Sequence, residues 1–549
     1  MKHKKCGILL AFPALLIAAW VSGNLLLDVQ LPGESGYRDQ TPLPAPSGNT
    51  LREVFEDLPQ IEDPGRGAEK TGTLTRIELL EENPRAWAAR WRLLGEARRN
   101  LDISYFILKG DVFGMSFLGH LLQKAREGVH VRILLDAMGT RLARNISGND
   151  YLDALAANAN VSVKMYRPLV FRYTDLFLTF NPAAVIASDH DKILIADGRL
   201  ALLGGRNIGS EYFADPADDP KAFYDADVLL HGKEAGSALS ALFDVGFESG
   251  EAHDLKPERV DIVNPEEDLL LAYEAMDAWL RGKPFSENTV SAIRDKGLSW
   301  LEDLEKLPRL RGALEKKSAS PTAAEVRLLD SRPRTLSSRD PIGTGLEGLA
   351  RSAEREIFIQ SPYLVLSRKA VSVLEEAAAR GVRITVLTNS PVSSDNALSQ
   401  AFFLDQWPEL LAHVPTLRLF VAGDKHNLHS KLGVIDGRLA LVGTYNMDPL
   451  SMALDGELVA AVWSERFADR LLRKPRHLIS GGPARTYEYR IRRDGEGRPV
   501  RDRKGKVEVA FGPDNHSAPE EWKAVGRYRV LLRIAKILPG SSKLLRGKS

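Results

Sequence analysis

From about residue 100 the chain alternates short apolar runs with amphipathic stretches. Leu101 to Leu108 is apolar and of strand length. An amphipathic stretch follows, Phe117 to Lys124, then a second apolar run inside REGVHVRILLD at 126–136. Strand, helix and strand in that order predict an α/β layer. Further on, Ile193 to Ile195 and Leu200 to Leu203 flank an Asp197-Gly198 pair. Asp-Gly between two apolar runs predicts a β-hairpin. The same order then recurs: Glu356 to Leu364, the amphipathic Ala370 to Ala379, RGVRITVLT at 380–388, and a second hairpin pattern around Asp436-Gly437.

The recurrence is an internal repeat. The string DGRLAL covers 197–202 and again 436–441, 239 residues later. At that spacing His190 matches His429, Lys192 matches Lys431, Gly204 matches Gly443 and Asn207 matches Asn446. Each copy therefore reads H-x-K-x-x-x-x-D, then a glycine, then an asparagine. Upstream, Gly128 and Gly381 are 253 residues apart, so the first copy carries 14 extra residues. These fall near Val170 to Ala187 and include Phe171, Tyr173, Phe177 and Phe180. Residues 249–325 have no counterpart and form a charged, helix-like connector. The expected organisation is a first α/β half at 69–248, a second at 326–470 and a C-terminal extension at 471–549. Two such halves packed about a pseudo-two-fold axis would bring their histidines to one point.

The ends differ from the body. Lys2, Lys4 and Lys5 precede an apolar run from Gly7 to about Leu27. Residues 1–28 thus predict an apolar helix, either an uncleaved signal anchor or a cleaved signal peptide, with the lysines inside and the rest of the chain outside. Residues 29–68 read as a linker, with Pro32, Pro42, Pro44 and Pro46 in its first half. From Lys523 onward there are eight basic residues and no acidic one. Arg529, Arg533 and Lys536 share one face of a helical pattern, with Val530, Leu531, Ile534, Ile537 and Leu538 on the other. Such a helix suits an anionic membrane surface, and equally a helix docked on the body with a solvated basic face.

Composition excludes more than it indicates. Apolar residues make up 44% and charged residues 27%, which is globular usage. The 74 basic and 73 acidic residues nearly cancel, which speaks against a nucleic-acid partner. Cys6 is the only cysteine, so no intrachain disulfide and no cysteine-rich metal site exists.

The candidate chemistry lies in the repeat. Within H-x-K the two side chains share one face of a strand. Two imidazoles, two ammoniums and two amides around one point make a pocket for a tetrahedral anion, with Lys192, Lys431, Asn207 and Asn446 as its donors. One imidazole can attack phosphorus while the other protonates the leaving alcohol. A carboxylate should fix each tautomer. Each half offers one: Asp225, 35 residues after His190, and Glu457, 28 after His429. Asp197 and Asp436 sit at the hairpin turns, a turn-setting place. Asp189 and Asp191 flank His190 and would raise its pKa.

Two H-x-K-x-x-x-x-D motifs in one chain resemble the phospholipase D superfamily. GGRNIGSEYF at 204–213, GTYNMDPLS at 443–451, SPY at 361–363 and TNS at 388–390 are similar to its bacterial cardiolipin synthase branch. The resemblance covers roughly residues 70 to 470. It implies two phospholipase D-like α/β halves and a catalytic set of His190, Lys192, Asp197, His429, Lys431 and Asp436, with no metal and no cofactor. It implies phosphatidyl transfer through a phosphohistidine, with His190 as nucleophile and His429 as acid and then base. The alternative is phosphodiester hydrolysis with water as acceptor, of a lipid or, less readily, a nucleic acid. The expected partners are phospholipids, phosphatidylglycerol among them, and an anionic membrane surface. The expected place is the outer face of a bacterial inner membrane.

Overall fold

The computed structural model describes residues 50–58, 74–142, 150–179, 186–255, 262–316, 320–332, 340–481, 485–523, 525–527 and 529. The N-terminal apolar run and most of the basic tail lie outside the described residues. Among the described residues no helix is long and apolar enough to cross a membrane.

Among the described residues eight strands build the first half: β1 (Leu74–Leu80), β2 (Asn100–Tyr105), β3 (His130–Asp136), β4 (Val161–Tyr166), β5 (Lys192–Ala196), β6 (Leu200–Gly204), β7 (Asp227–His231) and β8 (Ala252–Asp254). The second half repeats them: β9 (Thr322–Ser331), β10 (Glu356–Gln360), β11 (Arg383–Thr388), β12 (Leu417–Ala422), β13 (Lys431–Ile435), β14 (Leu439–Gly443), β15 (Glu457–Trp463) and β16 (Thr486–Ile491). A short β17 (Val509–Phe511) pairs with β16.

The pairings run 8-4-3-2-5-6-7-1 in the first half. They run 16-12-11-10-13-14-15-9 in the second. Position by position the two orders correspond, and β1 joins β9 antiparallel between them. In each half only the pairs β2–β3–β4 and β10–β11–β12 are parallel, as expected where helices supply the crossovers.

Strand periodicity sorts the core into layers. On β5, Ile193 and Ile195 face a core shared with Leu432 and Val434 of β13, so the two sheets pack on one another. Leu194 and Ala196 face the other way, into a core built with the first-half helices. Ile435 and Leu441 face the equivalent second-half core. Both hairpins turn as their Asp-Gly pairs require. Asp197 and Gly198 have φ of 53° and 60°, Asp436 and Gly437 of 53° and 70°.

Two boundaries differ from the sequence reading. Within the stretch read as linker, Leu51–Glu56 is a helix capped by Thr50, and Phe55 is fully buried in the second-half core. The connector is helical. Its helix Pro265–Leu280 packs along Val112–Arg126, where a Cβ on Gly119 would stand 1.9 Å from the Leu269 carbonyl oxygen. The second sheet also continues past residue 470, because β16 covers the edge of β12. Its alternation is interrupted by charge (TYEYRI), so the apolar pattern marks it weakly.

Candidate active site

Lys192 opens β5 and Lys431 opens β13, which puts His190 and His429 two residues ahead of each strand. There the backbones cross between halves. The His190 N–H donates to the Gly456 carbonyl at 2.9 Å, just ahead of β15. The His429 N–H donates to the Tyr224 carbonyl at 2.7 Å, ahead of β7. The crossing places each imidazole beside the other half's carboxylate. His190 Nδ1 lies 3.0 Å from both Glu457 oxygens. His429 Nδ1 lies 2.7 Å from Asp225 Oδ2. The sequence reading placed each carboxylate beside the histidine of its own half; the structure exchanges them. A carboxylate on Nδ1 selects the Nδ1–H tautomer and leaves Nε2 as the reactive nitrogen.

The lysines fold back over their histidines. Each Nζ donates to the carbonyl oxygen of its own histidine at 2.6 Å. Lys431 Nζ also lies 3.0 and 3.2 Å from the two ring nitrogens of His429. Burial lowers both ammoniums, Lys192 to about 7 and Lys431 to about 8, against the pull of Glu457 and Asp225. Such groups take up a proton readily when an anion arrives.

The two imidazole–carboxylate pairs are electrostatically unlike. Burial, then Lys192, Lys431 and His429, hold His190 well below the usual histidine range. Burial also raises its partner Glu457, to about 7, although Lys192 and a hydrogen bond from Ser451 oppose this. Burial works against ionisation of Asp225 as well. There His429, Lys431 and Arg206 prevail and hold the carboxyl well below the usual range. His429 is lowered by burial and Lys431, with Asp225 pulling the other way. One pair thus resembles a neutral imidazole beside a carboxyl near its titration point, the other an imidazole beside a firm carboxylate.

The flanking acids do not act on His190 as the sequence suggested. Asp189 accepts from Ser104 Oγ and the Asp191 N–H, and burial raises both carboxyls toward neutrality. His190 is lowered all the same, by burial first and then by Lys192, Lys431 and His429. Asp197 and Asp436 stand at the far ends of β5 and β13, away from the histidines. Asp197 accepts three backbone N–H groups, from Arg98, Arg99 and Asn100 at 2.7–3.0 Å. Asp436 does the same for Glu354, Arg355 and Glu356 at 2.7–2.9 Å. They lock each hairpin onto the start of β2 or β10, a turn-setting task, and do not reach the imidazoles they were grouped with.

The asparagines also differ. Asn207 is engaged: Oδ1 accepts the Ile107 N–H at 3.0 Å and Nδ2 donates to the Tyr212 hydroxyl at 2.9 Å. Asn446 Oδ1, an acceptor, is buried without a hydrogen-bond partner among the described residues. Several neighbours escaped the sequence reading. Phe106 stands edge-on to His190 at 4.9 Å. Phe223 stacks on His429 and Tyr212 meets it edge-on, both at 5.4 Å. Ser451 and Tyr212 are 239 residues apart, so they hold equivalent places in the repeat. Their difference was the available signal. Phe106 and Phe223 left none, because an aromatic in an apolar pattern reads as core.

Among the described residues no group of three or more His, Cys, Asp or Glu is placed to hold a metal ion. The family model described as "Cardiolipin synthase, PLD-like domain" matches residues 91–244 and 346–479. Over 493 residues the chain is 27% identical to cardiolipin synthase C of Escherichia coli K12, covering 84% of this chain and 94% of that protein. It is 26% identical to the probable cardiolipin synthase YwiE of Bacillus subtilis, across 70% of this chain and 62% of that one. The crystal structure of phosphatidylserine synthase from Haemophilus influenzae superposes with a TM-score of 0.56 over 90% of this chain and 99% of that one, at 14% identity. That likeness concerns the fold.

Proposed function

This chain belongs to the phospholipase D superfamily, in its cardiolipin synthase branch, and we propose that it joins two phospholipids by moving a phosphatidyl group through a phosphohistidine. The chain is an enzyme, a phosphatidyltransferase of that superfamily. The observation that carries the mechanism is the exchange of carboxylates: each imidazole is held at Nδ1 from the opposite half, beside a buried lysine. Nε2 of neutral His190 attacks phosphorus, the P–O bond to the leaving alcohol breaks, and His429 gives that alcohol its proton. His429 then takes a proton from the acceptor alcohol, whose oxygen attacks phosphorus and releases Nε2. The low-lying Asp225 stabilises the imidazolium this requires, as a buried carboxylate does in a hydrolytic triad. Lys192, Lys431 and the side-chain N–H of Asn446 donate to the charge that grows on the phosphoryl oxygens.

The halves pack about a pseudo-two-fold axis in this reading, which the matched strand orders and the β1–β9 join support. An anionic membrane surface is the partner. Helix Leu169–Thr179, part of the segment absent from the second half, exposes Val170, Phe171, Tyr173 and Phe177. Its buried Arg172 donates to Asp136 at 3.0 Å, and the same carboxylate oxygen accepts the Asp189 N–H next to His190. An apolar helix tied this closely to the nucleophile holds the pocket at headgroup level. Phe177→Asp should weaken co-sedimentation with phosphatidylglycerol vesicles; unchanged binding removes this helix from the membrane contact.

The test of the mechanism is a rapid quench with phosphorus-labelled phosphatidylglycerol at alkaline pH, where an N–P bond survives. Label on the His190 peptide supports the assignment, and label on His429 reverses the two roles. Separation of cardiolipin from phosphatidic acid in the same mixture tells transfer from hydrolysis.

A further inference from the structure

The two halves share a topology but not a filling. Arg99 and Arg355 donate their N–H groups to Asp197 and Asp436 in the same way, and they are 256 residues apart. At that spacing Trp87 corresponds to Gly343, Arg90 to Leu346, Leu94 to Ala350 and Tyr105 to Ser361. Around the histidines, at 239, Phe213 corresponds to Met452 and Leu194 to Gly433.

In the first half these positions form a plug. Trp87 is fully buried and meets Phe113, Phe117 and Phe213 at ring distances of 4.7 to 6.4 Å. Arg90 lies beneath it, bonded to Asp227 and Tyr105. The second half has lost every member of that plug. Its helix Pro341–Arg351 reads PIGTGLEGLAR, and the helix beside it, Arg368–Ala379, carries no aromatic residue. What remains is a cavity of about 450 Å³ lined mainly by apolar groups, among them Leu346, Ile359, Val373, Leu374, Met447 and Met452. That is within the ordinary range for small-molecule sites.

The cavity shares a wall with the catalytic centre. A smaller void of about 70 Å³ is lined by Lys431 and Gly433, and also by Leu346, Ala350, Ile359, Tyr445 and Met447, all of which line the large cavity too. The short helix Pro449–Ala453 serves both sides: Pro449, Met452 and Ala453 line the cavity, while Ser451 donates to Glu457. Tyr445 and Met447 bracket Asn446, the residue with the unspent amide oxygen.

We propose that this second-half cavity receives one acyl chain of the phospholipid whose phosphate is held between His190 and His429. The inference rests on the lipid substrate of the preceding section. A phosphate at Lys431 and a hydrocarbon tail in the adjoining cavity are two parts of one molecule, and no water-soluble phosphodiester uses both. At the matching position of the first half, Trp87 and Phe213 fill the space. The site is therefore asymmetric toward lipid tails although its catalytic residues are paired.

The test uses the full-length chain and radiolabelled palmitate below its micelle concentration, by equilibrium dialysis. The wild type should bind one palmitate per chain. Leu346→Trp and Ala350→Phe, which refill the space, should weaken that binding at least about tenfold. Both should also lose the preference of kcat/KM for a dipalmitoyl over a dihexanoyl phosphatidylglycerol. Thermal unfolding at or above the wild-type temperature shows that the variants are folded. His429→Ala should lose turnover and keep palmitate, which separates failure of the catalytic reading from failure of this one. Absence of saturable palmitate binding to the wild type overturns the proposal, whatever the variants do. So does equal binding by wild type and both variants, and so does binding that appears only after residues 1–49 are removed.

Discussion

His190 and His429 occupy equivalent places in a duplicated unit, and the chain has made them chemically unequal. His190 is paired with a glutamate that burial lifts to about 7. His429 is paired with an aspartate that its neighbours hold well below the usual range. The difference comes from the surroundings. Asp225 lies in the field of Arg206, a fully buried guanidinium that also bonds Asp227 at 2.9 Å. At the matching place in the second half stands Tyr445, which is uncharged and donates to Asp340 at 2.8 Å. Duplication supplied two imidazoles in one pocket, and an arginine present in one half only, beside Asp225, adds to the difference between their carboxylates.

The comparison breaks first at the histidines. His190→Ala and His429→Ala should each lower turnover by about a thousandfold or more, because neither half of a two-step transfer proceeds alone. A single-turnover burst surviving in one variant only would show which histidine carries the phosphoryl group.

The carboxylates sharpen it. Asp225→Asn should cost about a hundredfold or more, since it leaves the His429 imidazolium without a countercharge. Glu457→Gln should cost less, because the native group stands near neutrality and the amide keeps its acceptor oxygen. A larger loss for Glu457→Gln, in parallel pH–rate profiles, would exchange the two assignments.

The lysines follow. Their native pKa values, about 7 and about 8, lie below the ordinary value of 10.5. The unfolded chain therefore binds more protons between those values and 10.5, and stability should rise with pH across that window. A bound dianion reverses the preference. Sulfate, which has no proton of its own near neutrality, should bind with proton uptake near pH 8, and more weakly as pH rises. Calorimetry in buffers of different ionisation heat reads this, and Lys192→Met should remove part of the uptake.

The smallest effect is expected at the turns. Asp197→Ala and Asp436→Ala remove three backbone acceptor bonds each, worth about 2 kcal/mol of stability. Asp436, the more buried, should cost more. Activity of whatever remains folded should change little. Loss of turnover at unchanged melting temperature would return these residues to the catalytic set.

Much was written in the chain. The repeated H-x-K-x-x-x-x-D, the Asp-Gly turns and the apolar runs predicted two α/β units, because period-two alternation and turn chemistry act over a few residues. Polar side chains matched at constant spacing marked the site for the same reason. Three things were decided only by the tertiary structure. One is the exchange of Asp225 and Glu457 between histidines, which depends on backbone bonds from the His190 N–H to Gly456 and from the His429 N–H to Tyr224. Those cross more than 200 residues, and no local pattern records them. Another is the upward shift of the Asp189 and Asp191 carboxyls, since burial disfavours the charged form. The last is the second-half cavity. Gly343, Ala350 and Gly433 are unremarked small residues until packing shows that Trp87, Leu94 and Leu194 fill the same positions in the other half. Sequence periodicity determines which face of a strand is apolar; only the assembled layers determine whether the space above it is filled.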